Sequence, residues 1–214
     1  MERVLSPRVA SSSKAKEAGV NRREQLVTIA MNLIATKGFE GLRFQEVAEE
    51  AGINNATLYH HFATKEALIQ GVVGRLTAEL KLQRVRPKEQ PANARDELRL
   101  EFEDVRQLLR AQPKLFVVLT ELALRALRDP AIRKIGENRD DFWRGRLSDI
   151  VEGGIAQGVF RGDIDVDTTV TAVMMQVKGI GHHATMAKRR RGEVDKAITA
   201  IAAQVDSWLT SGAK

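Results

Sequence analysis

Residues 44–68 read FQEVAEEAGINNATLYHHFATKEAL, and this stretch decides how the rest of the chain is interpreted. Its first half places apolar residues on one face at helical spacing, and Gly52 follows where a helix end needs a positive φ. Asn54 suits the N-cap of a second short helix, in which Leu58 and Phe62 lie four residues apart on one side. Two short helices joined by a Gly-containing turn form a helix-turn-helix, whose second helix enters the DNA major groove.

The residues at the end of this motif narrow the interpretation. Residues 51–68 read AGINNATLYHHFATKEAL. This run resembles the pattern A-G-V-S-x-G-x-L-Y-x-H-F-x-S-K-E-x-L of the TetR family of bacterial transcriptional repressors. The resemblance extends upstream to about Asn21 and covers roughly a quarter of the chain. It implies a three-helix DNA-binding domain, followed by a larger helical domain that binds an effector and dimerises through its last two helices.

The pattern outside the motif predicts an all-α protein with two domains and an N-terminal arm. Residues 1–20 contain a Ser run and few large apolar side chains, which predicts a disordered basic arm. That arm could reach a minor groove, although an idle solvated tail is the simpler interpretation. Asn21 and Glu24 have the spacing of a capping box and predict the start of the first helix, which Gly38 should stop. We expect a DNA-binding domain over residues 21–75.

The C-terminal domain is expected over residues 76–214. Thr64 is a suitable N-cap for a helix that runs to about residue 84 and connects the two domains. Helical periodicity then recurs, with Pro113 and Pro130 at the first positions of two helices, where a missing N–H costs little. The further helices are expected at about 92–111, 114–127, 130–156, 166–187 and 192–211.

Composition excludes several classes of protein. The chain has no Cys, which excludes disulfides, thiolate catalysis and Cys-ligated zinc. Its net charge is +6, yet residues 21–75 carry six basic and six acidic side chains. A non-specific architectural DNA binder relies on many cations, so this neutral balance disfavours that alternative. The sequence has no apolar membrane span and no apolar segment of a signal peptide, so we expect a cytoplasmic protein. The resemblance implies a bacterial protein that is nucleoid-associated when bound to DNA.

The expected DNA contacts follow from the geometry of the motif. Small and polar side chains at the start of the second helix suit base edges, and Asn55 can pair with adenine. Tyr59 and His60 are placed for phosphate oxygens, and Lys65 adds charge at the next helix N-terminus. The resemblance assigns phosphate contact to Tyr59 and Lys65. The candidate DNA-binding residues are Arg43, Gln45, Asn54, Asn55, Ala56, Thr57, Tyr59, His60 and Lys65.

Two positions depart from the family pattern. Arg43 lies in the region where family members usually carry a Ser or Thr hydroxyl, and it could replace that hydroxyl with a direct charge contact. Ala56 stands in place of the frequent Gly, so the backbone should lie slightly further from the DNA. Both departures leave the operator sequence open.

The ligand-binding expectation for the larger domain comes from the resemblance, which implies a small effector. Aromatic and Met side chains at helical spacing are its candidate lining, although such residues are more often ordinary core. A largely apolar effector follows from them. The candidates are Phe102, Phe116, Phe142, Trp143 and Met175.

The last two helices have broad apolar faces, for example at Val170, Val173, Ile198 and Val205. Such faces suit a four-helix homodimer interface, and they suit the core of a single subunit equally well. The dimer expectation therefore rests on the resemblance and on the two-fold symmetry with which helix-turn-helix dimers bind two operator half-sites.

Features that could indicate an enzyme are weak. Residues 163–167 open with the spacing of a calcium loop, but Thr168 and Met174 stand where the loop needs Gly and Glu. His182 and His183 are neighbours on a helix and point about 100° apart, which disfavours a shared metal. We expect no catalytic residue, metal or cofactor. The sequence indicates a repressor that a small effector releases from a palindromic operator in double-stranded DNA, with activation left open.

Overall fold

The computed structural model describes residues 9–83, 91–186 and 191–211, which confirm the all-α prediction because they contain helices and no strand. Within those residues, no helix combines the length and the apolar character that crossing a membrane requires. Contacts divide the chain into two compact units, the first ending at Arg75 and the second starting at Leu76. The helices are α1 Val9–Gly41, α2 Phe44–Glu50, α3 Asn55–His61, α4 Lys65–Gln83, α5 Ala94–Ala111, α6 Pro113–Ala126, α7 Pro130–Ala156, α8 Val166–Met186 and α9 Arg191–Thr210.

Helix α1 starts earlier than its sequence indicated. It begins at Val9, so the predicted start at Asn21 is wrong and residues 9–20 have a helical backbone. This segment contains three Ala and two Lys, which favour helix, and its sequence has no apolar stripe. Residues 1–8 of the expected arm lie outside the described residues. Gly38 interrupts the helix with a φ of 70°, as predicted.

The first unit is held together by a small apolar core. Phe39, which follows the break in α1, is 3% exposed and closes one side of this core. Each of the four helices contributes buried side chains to it, which is what the apolar spacing predicted. The buried set includes Leu26, Ala30, Leu33, Ile34, Val47, Ala48, Leu58, Phe62, Leu68, Ile69 and Val72.

The second unit begins its helices with local caps. Asn93 Oδ1 accepts the backbone N–H of Asp96 at 3.0 Å, and this bond caps α5. Asp129 caps α7 by accepting from Ala131 and Ile132 at 3.0 and 3.2 Å. Pro113 and Pro130 occupy the first turns of α6 and α7, which confirms their predicted positions.

The apolar faces of α8 and α9 are used inside the subunit. Val170, Val173 and Val205 are at most 3% exposed and pack in one core with side chains of α5 and α7. Ile180 and Ile198 form a smaller cluster. These side chains therefore belong to the core of one chain. Their pattern in the sequence allowed either this or a dimer interface.

The end of α7 depends on a close approach between Gly154 and the ring of Phe160. Gly158 has a φ of 70°, and the N–H groups of Val159 and Phe160 both reach the carbonyl of Gly154 at 3.0 Å. The chain turns back so tightly that a Cβ on Gly154 would lie 2.0 Å from Cδ2 of Phe160. Phe160 is 2% exposed, so its ring has little room to move.

This contact gives a testable prediction with a control one residue away. Gly154→Ala should lower the free energy of unfolding by about 1–3 kcal/mol, because it overpacks the buried ring. In Gly153→Ala the nearest atom to the new Cβ is 4.0 Å away, so the higher helix propensity of Ala should be neutral to stabilising by up to about 1 kcal/mol. Urea unfolding of both variants measures the difference, and equal stabilities would contradict the packing argument.

Candidate DNA interface and ligand cavity

The turn between α2 and α3 is closed by backbone bonds that need a glycine. Gly52 has a φ of 65°, the left-handed region that L side chains rarely adopt. Its N–H reaches the carbonyl of Glu49 at 3.1 Å, and the N–H of Ile53 reaches that of Ala48 at 3.0 Å. This pair of bonds is a Schellman motif, which ends α2 and fixes the path of the chain into α3.

Helix α3 then begins at the cap that the sequence predicted. Asn54 Oδ1 accepts the backbone N–H of Thr57 at 2.8 Å and the Thr57 hydroxyl at 2.9 Å. Asn54, Asn55 and Ala56 are exposed, and Thr57 is half-buried. The cap thus occupies the acceptor of Asn54 and leaves the first turn of α3 open to a partner.

The side of α3 that faces inwards determines where Tyr59 lies. Leu58 and Phe62 are 0% and 1% exposed, whereas Tyr59 is 54% exposed. The rings of Tyr59 and Phe44 lie 5.0 Å apart, centroid to centroid, at 55°. Phe44, which the periodicity placed on the inner face of α2, is half-buried and supports the Tyr59 ring from the neighbouring helix.

Two arginines of α1 contact the helix-turn-helix. Arg22 Nη1 donates to the carbonyl of Ala51 at 3.4 Å, at the C-terminal end of α2. The Arg23 guanidinium carbon lies 4.6 Å from the centre of the Phe62 ring, a cation–π contact with α3. Both arginines are therefore engaged with the two helices of the motif.

The remaining DNA candidates lie at the ends of these helices. Arg43 is exposed and its guanidinium donates to the carbonyl of Glu40. Gln45 is exposed and its amide donates to the carboxylate of Glu49 at 2.9 Å. Both side chains are exposed to solvent, although each also has a hydrogen-bond partner within the protein.

His60 and Lys65 flank the C-terminal end of α3. His60 is exposed, and its ring meets that of His61 edge-on with centroids 5.8 Å apart. Lys65 is half-buried at the start of α4, where Thr64 Oγ1 accepts the N–H of Ala67 at 3.1 Å and confirms the predicted cap. The N-terminus of α4 therefore combines a Lys with the positive end of a helix dipole.

The second unit contains a cavity of about 400 Å³, a volume within the usual range of small-molecule sites. Three of the expected ligand-binding residues, Phe116, Phe142 and Trp143, line it. The full lining is Thr77, Leu80, Glu101, Asp104, Val105, Leu108, Phe116, Leu119, Thr120, Ala123, Arg139, Asp140, Phe142, Trp143, Val177, Lys178, Gly181 and His182.

Two expected ligand-binding residues lie elsewhere. Phe102 is 4% exposed and packs in the core with residues of α7, α8 and α9, so its side chain belongs to the core and not to the cavity wall. Met175 is 68% exposed on the surface of α8. Its neighbour Met174 takes the core position, so Met175 turns outwards.

Charged residues of the cavity wall are a feature that the sequence reasoning missed. Asp140 Oδ1 accepts Nε and Nη2 of Arg139 at 3.3 and 3.0 Å, and its Oδ2 accepts Nζ of Lys178 at 2.5 Å. Burial favours the neutral acid, but the bond from Lys178 and the charge of Arg139 prevail and hold the pKa of Asp140 below its ordinary value. In the sequence, the charged run 139–141 directly precedes Phe142, and Lys178 directly follows Val177. Charged residues beside apolar lining residues were the signal that could have indicated this wall.

On α5, the cavity-lining Glu101 is 7% exposed, and its ion-pair partner is a residue that does not line the cavity. Its Oε1 accepts Nε of Arg146 at 2.6 Å, and Arg146 also reaches Glu97 at 3.3 Å. Burial opposes the charge of Arg146, while Glu101, Glu97 and Asp104 raise its pKa. Among the residues that the structure describes, His, Asp and Glu side chains do not gather in threes as a potential metal site.

Comparison with known proteins covers both units. The family model described as bacterial regulatory proteins, tetR family, matches residues 26–72. The model described as BetI-type transcriptional repressor, C-terminal, matches residues 94–210. The chain is similar to the HTH-type transcriptional repressor KstR2 of Mycobacterium tuberculosis, with 28% identity over 147 residues, 69% of this chain and 73% of that protein.

Solved structures share the fold. A regulator from Saccharomonospora viridis in complex with choline superposes with a TM-score of 0.77 and 23% identity, over 85% of this chain and 95% of that one. A TetR transcriptional regulator from Chloroflexus aurantiacus gives a TM-score of 0.78 at 19% identity, over 88% and 96% of the two chains.

The ion pairs of Asp140 predict a pH-dependent contribution to stability. Because its pKa is lowered in the folded state, the contribution is full above the ordinary carboxyl pKa near 4 and is lost as pH falls through the lowered value. Asp140→Asn should cost about 1 kcal/mol at pH 7, allowing for partial exposure, and the cost should shrink towards pH 2. The exposed neighbour gives the control Asp141→Asn, and a pH-independent cost in Asp140→Asn would contradict the argument.

Proposed function

The chain belongs to the tetR family of bacterial regulatory proteins, and we propose that it acts as a homodimeric repressor on a palindromic operator. It is a transcriptional regulator and not an enzyme. In this proposal, residues 21–75 bind DNA and residues 76–214 bind an effector and dimerise. The protein works in the bacterial cytoplasm, at the nucleoid when its operator is occupied.

The observation that carries the DNA-binding proposal is the outward position of Tyr59 and of the first turn of α3. Leu58 and Phe62 are buried, so the opposite side of the helix remains available to the major groove. Asn55, Ala56 and Thr57 can approach base edges, while Tyr59 and His60 bind phosphates along the flank. Lys65 adds a phosphate contact at the N-terminus of α4.

Arg43 and Gln45 extend this surface at the start of α2. The bond of Arg43 to a backbone carbonyl leaves its positive charge uncompensated, so the side chain can turn to a phosphate at small cost. Gln45 is exposed on α2, one residue after Phe44. Asn54 contributes chiefly as a cap, because its acceptor oxygen is already used.

The cavity of the second unit is the proposed effector site. Phe116, Phe142 and Trp143 give it an apolar wall, which suits a small and largely apolar effector. The S. viridis regulator of similar fold is described in complex with choline, which supports a small-molecule effector for this chain as well. An effector that binds the DNA-free state more tightly shifts the equilibrium towards release, and a coupling of about 1–3 kcal/mol suffices.

The proposed dimer interface is formed by the outer faces of α8 and α9, since their inner faces are filled by the subunit's own core. On α8 the exposed side chains Met175 and Met186 are 68% and 70% exposed, and the exposed Gly179 lies between them. On α9 the exposed Ala200 and the 36% exposed Trp208 continue an outer stripe. Small residues between large apolar ones allow helices of two subunits to approach closely.

The DNA contacts are tested by gel shift on the intergenic DNA upstream of the protein's own gene, with random-sequence competitor and at two salt concentrations. Tyr59→Phe should weaken specific binding about tenfold through a lost bond to a charged phosphate. Lys65→Ala should weaken binding and reduce the slope of affinity against salt by about one phosphate contact.

The control for charge is Lys134→Ala, which removes an exposed lysine of α7 in the second unit. Its operator affinity should equal that of the unaltered protein. Unchanged affinity in both Tyr59→Phe and Lys65→Ala, with folding intact, would refute the phosphate-contact assignments.

The dimer is tested at Gly179, where an added Cβ meets nothing within 4 Å in the subunit. Gly179→Arg should therefore leave the fold intact and disrupt the dimer, which sedimentation or light scattering measures as a loss of the dimeric mass. Gly145→Arg, on an exposed part of α7 with equal space around its Cβ, is the matched control and should remain dimeric. A dimer that withstands Gly179→Arg would exclude this face of α8 from the interface.

A further inference from the structure

We propose that the effector of the cavity is an apolar molecule with one acidic group, such as a carboxylate, which binds at Arg139 and Lys178. This inference rests on the proposed function, because it specifies the chemistry of the effector site. It follows from how charges are distributed over the cavity wall.

The wall formed by α7 and α8 has an excess of positive charge. Arg139 and Lys178 both point their donors at Asp140, so two cations share one carboxylate and leave a net positive charge. Both bonds from Arg139 reach the same oxygen, Oδ1. A guanidinium and an ammonium together offer more N–H donors than one carboxylate uses, so donors remain for a second acid.

The lining on α5 contains two carboxylates, Glu101 and Asp104, and both act on the guanidinium of Arg146. Glu101 is a buried carboxylate, but it already accepts a 2.6 Å bond from Arg146. Arg146 also reaches Glu97, and the charge of Asp104 favours its cationic form. An ammonium group placed beside Glu101 would compete with a guanidinium that is already held by several acids.

The rest of the lining suits a hydrocarbon body. Phe116, Leu119, Trp143 and Val177 supply aromatic and aliphatic surface, and Gly181 leaves room for the Phe116 ring. A Cβ at Gly181 would lie 2.8 Å from Cδ1 of that ring. The absence of a side chain there lets an aromatic ring pack against α8 at the cavity wall.

Binding of an acid at this wall has a direct consequence for the fold. Asp140 on α7 and Lys178 on α8 join these two helices through their 2.5 Å bond. A carboxylate from the effector adds a second acceptor at Lys178 and Arg139, beside the bond that joins the two helices. The acidic group thereby acts on the contact between α7 and α8, and the apolar body supplies affinity.

The experiment compares three probes with the same body and different head groups: 4-phenylbutyrate, 4-phenylbutylamine and 4-phenylbutanol. Isothermal titration calorimetry on the full chain gives their affinities. The carboxylate should bind at least about tenfold more tightly than the alcohol or the amine, because it gains charge-assisted bonds.

Three variants locate the preference. Lys178→Gln and Arg139→Gln should each weaken phenylbutyrate binding by about tenfold and leave phenylbutanol binding unchanged, whereas Lys134→Gln should bind all probes as the unaltered protein does. Thermal unfolding verifies that each variant is folded, and two separate variants at the site guard against the failure of one. The alcohol is the internal control, since a merely structural defect would weaken all three probes together.

Equal affinities for the three probes, tighter binding of the amine, binding of none, or a preference that survives both substitutions would each overturn the proposal. Operator binding is measured in parallel by gel shift. A protein that selects the carboxylate through Lys178 but binds no specific DNA would refute the proposed function and leave this inference standing.

Discussion

The left-handed backbone at Gly52 is the constraint on which the DNA-facing half of the protein depends. Helix α3 has seven residues, too few for a helix to be stable by itself. Its direction is set by the turn at Gly52, by the Asn54 cap and by the burial of Leu58 and Phe62. Given that direction, Tyr59 must point outwards, and Phe44 lies close enough to support its ring. Any side chain at position 52 would strain the turn that sets the direction of α3.

Local bonds made the first unit predictable from sequence. The Gly turn, the Asn54 and Thr64 caps and the four-residue spacing of Leu58 and Phe62 all act within a few residues, so their geometry is encoded where they occur. The start of α1 was missed because residues 9–20 have a run of three Ser and only two large apolar side chains, Val9 and Val20, so no apolar stripe marks the helix. The contact between Phe44 and Tyr59 was missed because it joins two helices, and periodicity describes one helix at a time.

The cavity in the second unit was predictable only in part, for the same reason. Three of the aromatic residues that were named from helical spacing line the cavity, but only the packing of α8 decides that Met174 is buried and Met175 exposed. The charged wall depends on Asp140 and Lys178, which are 38 residues apart in sequence. Pairs between α5 and α9, such as Arg95 with Asp206 at 2.6 Å, are equally invisible to a linear pattern. Exposed pairs of this kind contribute little energy each.

The two tryptophans of the chain lie in different environments, so they can serve as two separate intrinsic fluorescence probes. The indole of Trp143 lines the cavity and is 8% exposed, whereas the indole of Trp208 is 36% exposed on α9. The fluorescence of Trp143 reports on the surroundings of the cavity, and that of Trp208 reports on the outer surface of the last helix. With either residue replaced by Phe, the fluorescence of the remaining indole reports on one of these two environments alone, without any attached dye.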